Sequence, residues 1–218
     1  IVGVGRAGTT ALARVISAHQ RALVCNEAWI WGHTTVLTRR RFHFPIAGQK
    51  RIANDMLLEA AGFRDDKGEV YWPASVVRTY FEGLRRAVAP EASLFGDKKG
   101  RYQLHLDNLV RVFPKCKLLA ATRNIWDVAA SLMDCGWFLK AQRRSLTREQ
   151  LAQRCVEGAR ASLAAVEKLA DYNIYPVAFE DMAMRPEATT TSLMRHLKLD
   201  QGDFDWDILK RVKYRQAV

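Results

Sequence analysis

The chain opens on an apolar pair and runs directly into GVGRAGTT, Gly3 to Thr10. Gly3, Gly5 and Gly8 lie too close together for the interior of a regular element, so they mark a tight turn between a short apolar run and an amphipathic stretch. A strand that enters such a turn and leaves it as a helix aims backbone N–H groups at one place, which suits an anion. Gly5 and Gly8 permit the tight conformation with Ala7 between them, Thr9 and Thr10 add hydroxyl donors, and Arg6 puts a guanidinium inside the loop. Against the phosphate-loop pattern G-x-x-x-x-G-K-[ST], the stretch matches at Gly3, Gly8 and Thr10 but carries Thr9 in place of lysine. That lysine grips the β- and γ-phosphates of a nucleoside triphosphate. The loop therefore predicts a phosphate-bearing ligand of another kind.

The rest of the chain repeats the strand-and-helix alternation. Short apolar runs predict strands at Ile1–Val4, Ala22–Cys25, Leu94–Gly96, Lys117–Thr122 and Ile174–Phe179. Amphipathic spacing predicts helices at Thr10–His19, Val76–Val88, Tyr102–Phe113, Ile125–Met133, Thr147–Asp171 and Glu187–Leu197. Continuous apolar strands between helices indicate a parallel sheet covered on both faces. The expected fold is α/β and three-layered, with a central, mostly parallel sheet flanked by helices. Residues 1–218 read as a single domain, long enough for a large core. Residues 33–73 are the least regular, with Arg39–Arg41 and polar turns around Asp65–Gly68, and read as an insertion that selects the substrate. Ile1 falls in mid-strand, which predicts a native chain that starts earlier, with room for an anchor or signal.

Arg6 belongs to a strongly basic chain, with 34 Lys and Arg against 23 Asp and Glu and a net charge of +11. Such a balance implies a polyanionic partner: nucleic acid, an acidic polymer or a phosphorylated cofactor. No nucleic-acid recognition motif or aromatic platform accompanies the charge, so no specific nucleic-acid partner is expected. No run of 18 apolar residues occurs, so no membrane-spanning helix is expected in these residues. Cys25, Cys116, Cys135 and Cys155 show neither C-x-x-C nor metal-ligand spacing. They read as reduced thiols of a cytoplasmic protein, or of one from the Golgi lumen if an N-terminal anchor has been removed.

A second block, FPKCKLLAATRNIWDVAASL from Phe113 to Leu132, places Arg123 at the carboxyl end of a predicted strand. Ligands of open α/β sheets bind at that end. Ser131 follows about two helical turns later. An arginine with a hydroxyl suits a second phosphate group. Together these residues resemble the sulfotransferases that use 3′-phosphoadenosine 5′-phosphosulfate. GVGRAGTTAL looks like that family's 5′-phosphosulfate loop, the second block like its 3′-phosphate element, and VAFEDMAMRPEATTTSLMRHLKL (Val177–Leu199) like its later Glu-Asp segment. The three blocks come in the family's order.

The resemblance implies a P-loop-like sulfotransferase fold and transfer of a sulfuryl group to a hydroxyl or amine of a saccharide, peptide tyrosine, lipid or small molecule, with no metal. It implies that Gly5, Arg6, Ala7, Gly8, Thr9 and Thr10 hold the 5′ end of the nucleotide, and Arg123 with Ser131 the 3′-phosphate. One phosphate bearing a sulfuryl group needs no lysine after Gly8. Cytosolic members use a histidine base after a Lys-Thr pair, but here GDKKGRY has Gly100 at that place. Branches acting on tyrosines or glycosaminoglycans carry a glutamate after the second strand, and Glu27 fits it. Lys98 matches the lysine that supports the leaving phosphate, with Lys99 as its competitor. His33 and His105 are the rival bases. The adenine-stacking tryptophan of cytosolic members aligns with Ala11, which leaves Phe179 or Trp126 for that role, although core packing suits each better. Two other readings stand beside this one. A phosphate-loop kinase or nucleotidase is weakened by Thr9 and by the lack of a convincing magnesium-binding aspartate, and a basic nucleic-acid-binding module rests on charge alone.

Overall fold

The computed structural model describes residues 1–3, 5–26, 74–99, 102, 106–135, 146–167 and 172–212. Glu27, Gly100, His33, His105, the basic run Arg39–Arg41 and the whole of residues 33–73 lie outside them. The strands are β1 (Val2–Gly3), β2 (Ala22–Asn26), β3 (Leu94–Lys98), β4 (Leu118–Thr122) and β5 (Ile174–Ala178). The helices are α1 (Thr9–Ile16), α2 (Ala74–Val88), α3 (Leu106–Val112), α4 (Ile125–Asp134), α5 (Arg148–Glu167), α6 (Phe179–Met184), α7 (Pro186–Leu197) and α8 (Ile208–Arg211). Among the described residues no helix is long and apolar enough to cross a membrane.

The strands pair in parallel as β1-β4-β5 and β2-β3. Backbone bonds at Ile1 join the two groups: Ile1 N donates to Asp97 O at 2.6 Å, and Lys99 N donates to Ile1 O at 3.4 Å. The spatial order of the described strands is therefore β2-β3-β1-β4-β5, with β1 at their centre. β4 shows why its sequence is apolar without alternation. Leu119 and Ala121 pack with Leu12 and Ile16 of α1, while Leu118 and Ala120 pack with Val77 of α2 and Val112 of α3. Successive side chains point to opposite faces, and here both faces are buried.

Local signals set the element ends. Asn124 caps α4 by accepting from Trp126 N at 2.9 Å, as short polar residues do at helix starts. Pro186 stands in the first turn of α7, where its missing N–H costs nothing. Among the described residues β2 is the outer strand, and Ser17 Oγ accepts from its Val24 N at 2.8 Å, satisfying a donor on that edge.

Among the boundaries that differ from the sequence expectation, two strand ends bear on the site. β3 extends through Asp97 and Lys98 because both are buried and paired in register with Cys25 and Asn26. Phe179 ends no strand; it opens α6, whose first turn carries Glu180 and Asp181 at the positive end of the helix.

Candidate functional site

β1 can run beside β4 only because residue 3 has no side chain. Gly3 has φ +150°, and a Cβ there would stand 2.5 Å from Ala121 O. The chain then turns through residues 5–8 into α1. Gly8 caps the helix in the left-handed region at φ +84°, and a Cβ on it would run into the Phe179 ring. Gly5 is exposed, with open space where its Cβ would be. Ala7 and Thr9 are buried, Thr10 is half-buried and Arg6 is exposed.

Arg6 also has positive φ, at 73°. For an L-residue that conformation costs about 1–2 kcal/mol, so neighbouring contacts must hold it. Two contacts from the second block do so. Arg6 Nε donates to Ser131 Oγ at 3.0 Å, and Arg123 Nη1 donates to Arg6 O at 3.3 Å. The loop and the Arg123–Ser131 element, far apart in sequence, thus meet at the carboxyl ends of β1 and β4.

Arg123 is itself fixed from several sides. Its guanidinium lies 4.3 Å from the centre of the Phe179 ring, within the range of a cation–π contact. Its Nε stands 3.8 Å from Asp127 Oδ2, and its side chain is 6% exposed. Glu180 Oε1 accepts from Asn124 N at 2.8 Å and ties the turn after β4 to the start of α6. A helix N-terminus, two guanidinium groups and a hydroxyl converge here, a donor set suited to more than one phosphate oxygen.

Lys98 ends β3, beside β1, and is buried. Asn26, its register partner, is the last described residue before Glu27. Across that pairing, burial and the Asp97 carboxylate push the Cys25 thiol upward, which keeps it protonated and weakly nucleophilic. Trp126 is 61% exposed, so core packing is not its role, whereas Phe179 packs in the core beneath Arg123.

Phe179 as a support for Arg123, and Glu180 and Asn124 as the link between β4 and α6, escaped the sequence reading. The one signal was local: the pair Glu180-Asp181 after an apolar run marks a helix start. Among the described residues no group of three or more His, Cys, Asp or Glu is placed to hold a metal ion.

A family model described as "Sulfotransferase family" matches residues 1–203. Among solved structures, the chain is similar to the sulfotransferase domain from the curacin biosynthetic pathway, with a TM-score of 0.58 at 13% identity, covering 97% of this chain and 76% of that one. It is also similar to sulfotransferase STF9 from Mycobacterium avium, with a TM-score of 0.56 at 13% identity, covering 97% of this chain and 66% of that one. At such identity these two likenesses are of fold. No curated protein sequence matches the chain.

Proposed function

The chain belongs to the sulfotransferase family, and from that premise we propose that it moves a sulfuryl group from 3′-phosphoadenosine 5′-phosphosulfate to a hydroxyl or amine acceptor. The observation that carries this reading is the Arg6–Ser131 hydrogen bond, reinforced by the bond from Arg123 to Arg6 O. It links a loop suited to a 5′-phosphate with an arginine–serine pair suited to a 3′-phosphate. One ligand bearing both groups fits such a joined site, and a nucleoside triphosphate has no use for the second half.

The donor, when bound, supplies an activated sulfuryl group on its 5′-phosphate. The residues present fit it. Backbone N–H groups of residues 5–10 with the Thr9 and Thr10 hydroxyls hold the 5′-phosphate, and Arg6 neutralises its charge. Arg123 and Ser131 hold the 3′-phosphate. Lys98 donates to the leaving phosphate oxygen, and Glu27 takes the proton of the attacking hydroxyl. Residues 1–218 act as one domain in this reading, with 33–73 shaping acceptor choice.

Thermal melting tests the donor. Adenosine 3′,5′-bisphosphate without magnesium should raise the melting temperature, with about 2.7 kcal/mol of stabilisation at a hundredfold excess over Kd. Stabilisation by ATP with magnesium but not by the bisphosphate would overturn the reading. The acceptor class follows from incubation with labelled donor and a panel of saccharides, peptides, lipids and phenols.

A further inference from the structure

The end of β3 holds more buried charge than strand formation requires. Asp97 is 8% exposed, Lys98 4% and Tyr102 3%, and Tyr102 Oη donates to Asp97 Oδ2. Removing a carboxylate and an ammonium from water is costly unless each finds partners, so such a group needs a reason.

Strand alternation separates the two charges. Phe95 packs on Phe81 at 4.7 Å between ring centres, and Tyr102 lies with Val77 and Leu106 in the core under α2 and α3. Phe95 and Asp97 therefore face that layer. Gly96 and Lys98 face the other, where Val24, the register partner of Gly96, packs with Leu12 and Ile16 of α1. The phosphate loop leads into α1 at the same carboxyl end of the sheet. Of the two lysines in GDKKG, Lys98 is the one on the loop's side.

The Tyr102–Asp97 bond closes a short circuit of chain with Lys98 inside it. Tyr102 N donates to Lys99 O at 3.3 Å and tightens the same turn. From the strand side, Ile1 N holds Asp97 O at 2.6 Å. We propose that Asp97 and Tyr102 are positioning residues that hold Lys98 toward the phosphate loop, where its ammonium meets the nucleotide's 5′-phosphate. This rests on the donor reading given above. The phenol and the carboxylate touch neither donor nor acceptor; they act through the backbone of Lys98.

Tyr102→Phe keeps the ring in its core and removes only the hydroxyl, and a melting curve checks that the variant folds. The first readout is calorimetric affinity for adenosine 3′,5′-bisphosphate in wild type, Tyr102→Phe, Lys98→Ala and the double variant. Lys98→Ala should weaken binding by roughly 10–100-fold, the scale of a charge-assisted hydrogen bond. Tyr102→Phe should weaken it by about fivefold alone and add nothing once Lys98 is gone, as coupled residues do. The second readout needs no nucleotide: acylation of the Lys98 amine by an activated ester, followed by peptide mass spectrometry, should rise about fivefold or more in Tyr102→Phe. Wild-type affinity in Lys98→Ala, additive losses in the double variant, or unchanged Lys98 labelling would each overturn the inference. A wild type that fails to bind the bisphosphate, with labelling still raised by Tyr102→Phe, would overturn the donor reading and sustain the hold on Lys98.

Discussion

Arg6 occupies a backbone conformation that L-residues avoid, and the bonds that keep it there are also those that join the two halves of the site. That junction was not legible in the sequence. GVGRAGTT announces an anion loop and the Arg123 block a second cation, yet no spacing rule foretells a bond between Arg6 and Ser131. Only the strand order creates it. The division of labour can be tested with Arg123→Ala. Affinity for adenosine 3′,5′-bisphosphate should fall by roughly 1.5–3 kcal/mol, about one to two decades, while affinity for adenosine 5′-phosphosulfate barely changes. Equal losses for both nucleotides would show that Arg123 does not read the 3′-phosphate. Glu27 lies outside the described residues, so its proposed role as base rests on its place in the sequence after β2. Glu27→Gln should leave bisphosphate binding intact and lower kcat by about 10²–10⁴, the usual range for a general base, with a phenolic acceptor at the low end. Unchanged turnover would pass the role to His33 or His105.

At the scale of elements, the apolar runs were sound guides and the polar strand ends were not. β4 was expected from residue 117 and starts at Leu118, because an apolar strand closed by Arg123 and Asn124 has little freedom of placement. The apolar pattern of β3 ends at Gly96, since Asp97 and Lys98 look like loop residues until tertiary partners bury them. Phe179 misled in the opposite direction, an apolar residue counted into a strand when its ring packs beneath Arg123 from the start of a helix. The end of α7 carries a prediction of its own. Lys117 Nζ donates to His196 O, and the His196 ring stacks on Tyr175 at 4.2 Å. Burial, then the Lys117 charge, hold the His196 imidazole below its ordinary 6.5. The unfolded chain takes up that proton near pH 6.5 and the folded one only at lower pH, so acidification through this window favours unfolding. His196→Gln should flatten the fall in melting temperature between pH 7 and 5. A slope identical to wild type would exclude His196 as its source.

For the molecule as a whole, the alternation of strands and helices foretold the covered parallel sheet, and the order β2-β3-β1-β4-β5 adds what alternation cannot supply. Among the described strands it sets the glycine loop at the middle of the carboxyl edge, with Arg123 on one side and Lys98 on the other. That arrangement has a consequence in time. β1 precedes its partner strands along the chain, but Val2 pairs with Ala120, and Ile1 bonds to Asp97 and Lys99. Until β3 and β4 exist, the loop has no frame, and pairings between such distant segments form slowly. In the reading proposed above, phosphate recognition is thus among the last properties the chain acquires. Adenosine bisphosphate present during refolding should leave the folding rate unchanged and slow unfolding only, as expected for contacts absent from the transition state. Refolding accelerated by the nucleotide would mean that the loop is framed earlier than these pairings allow.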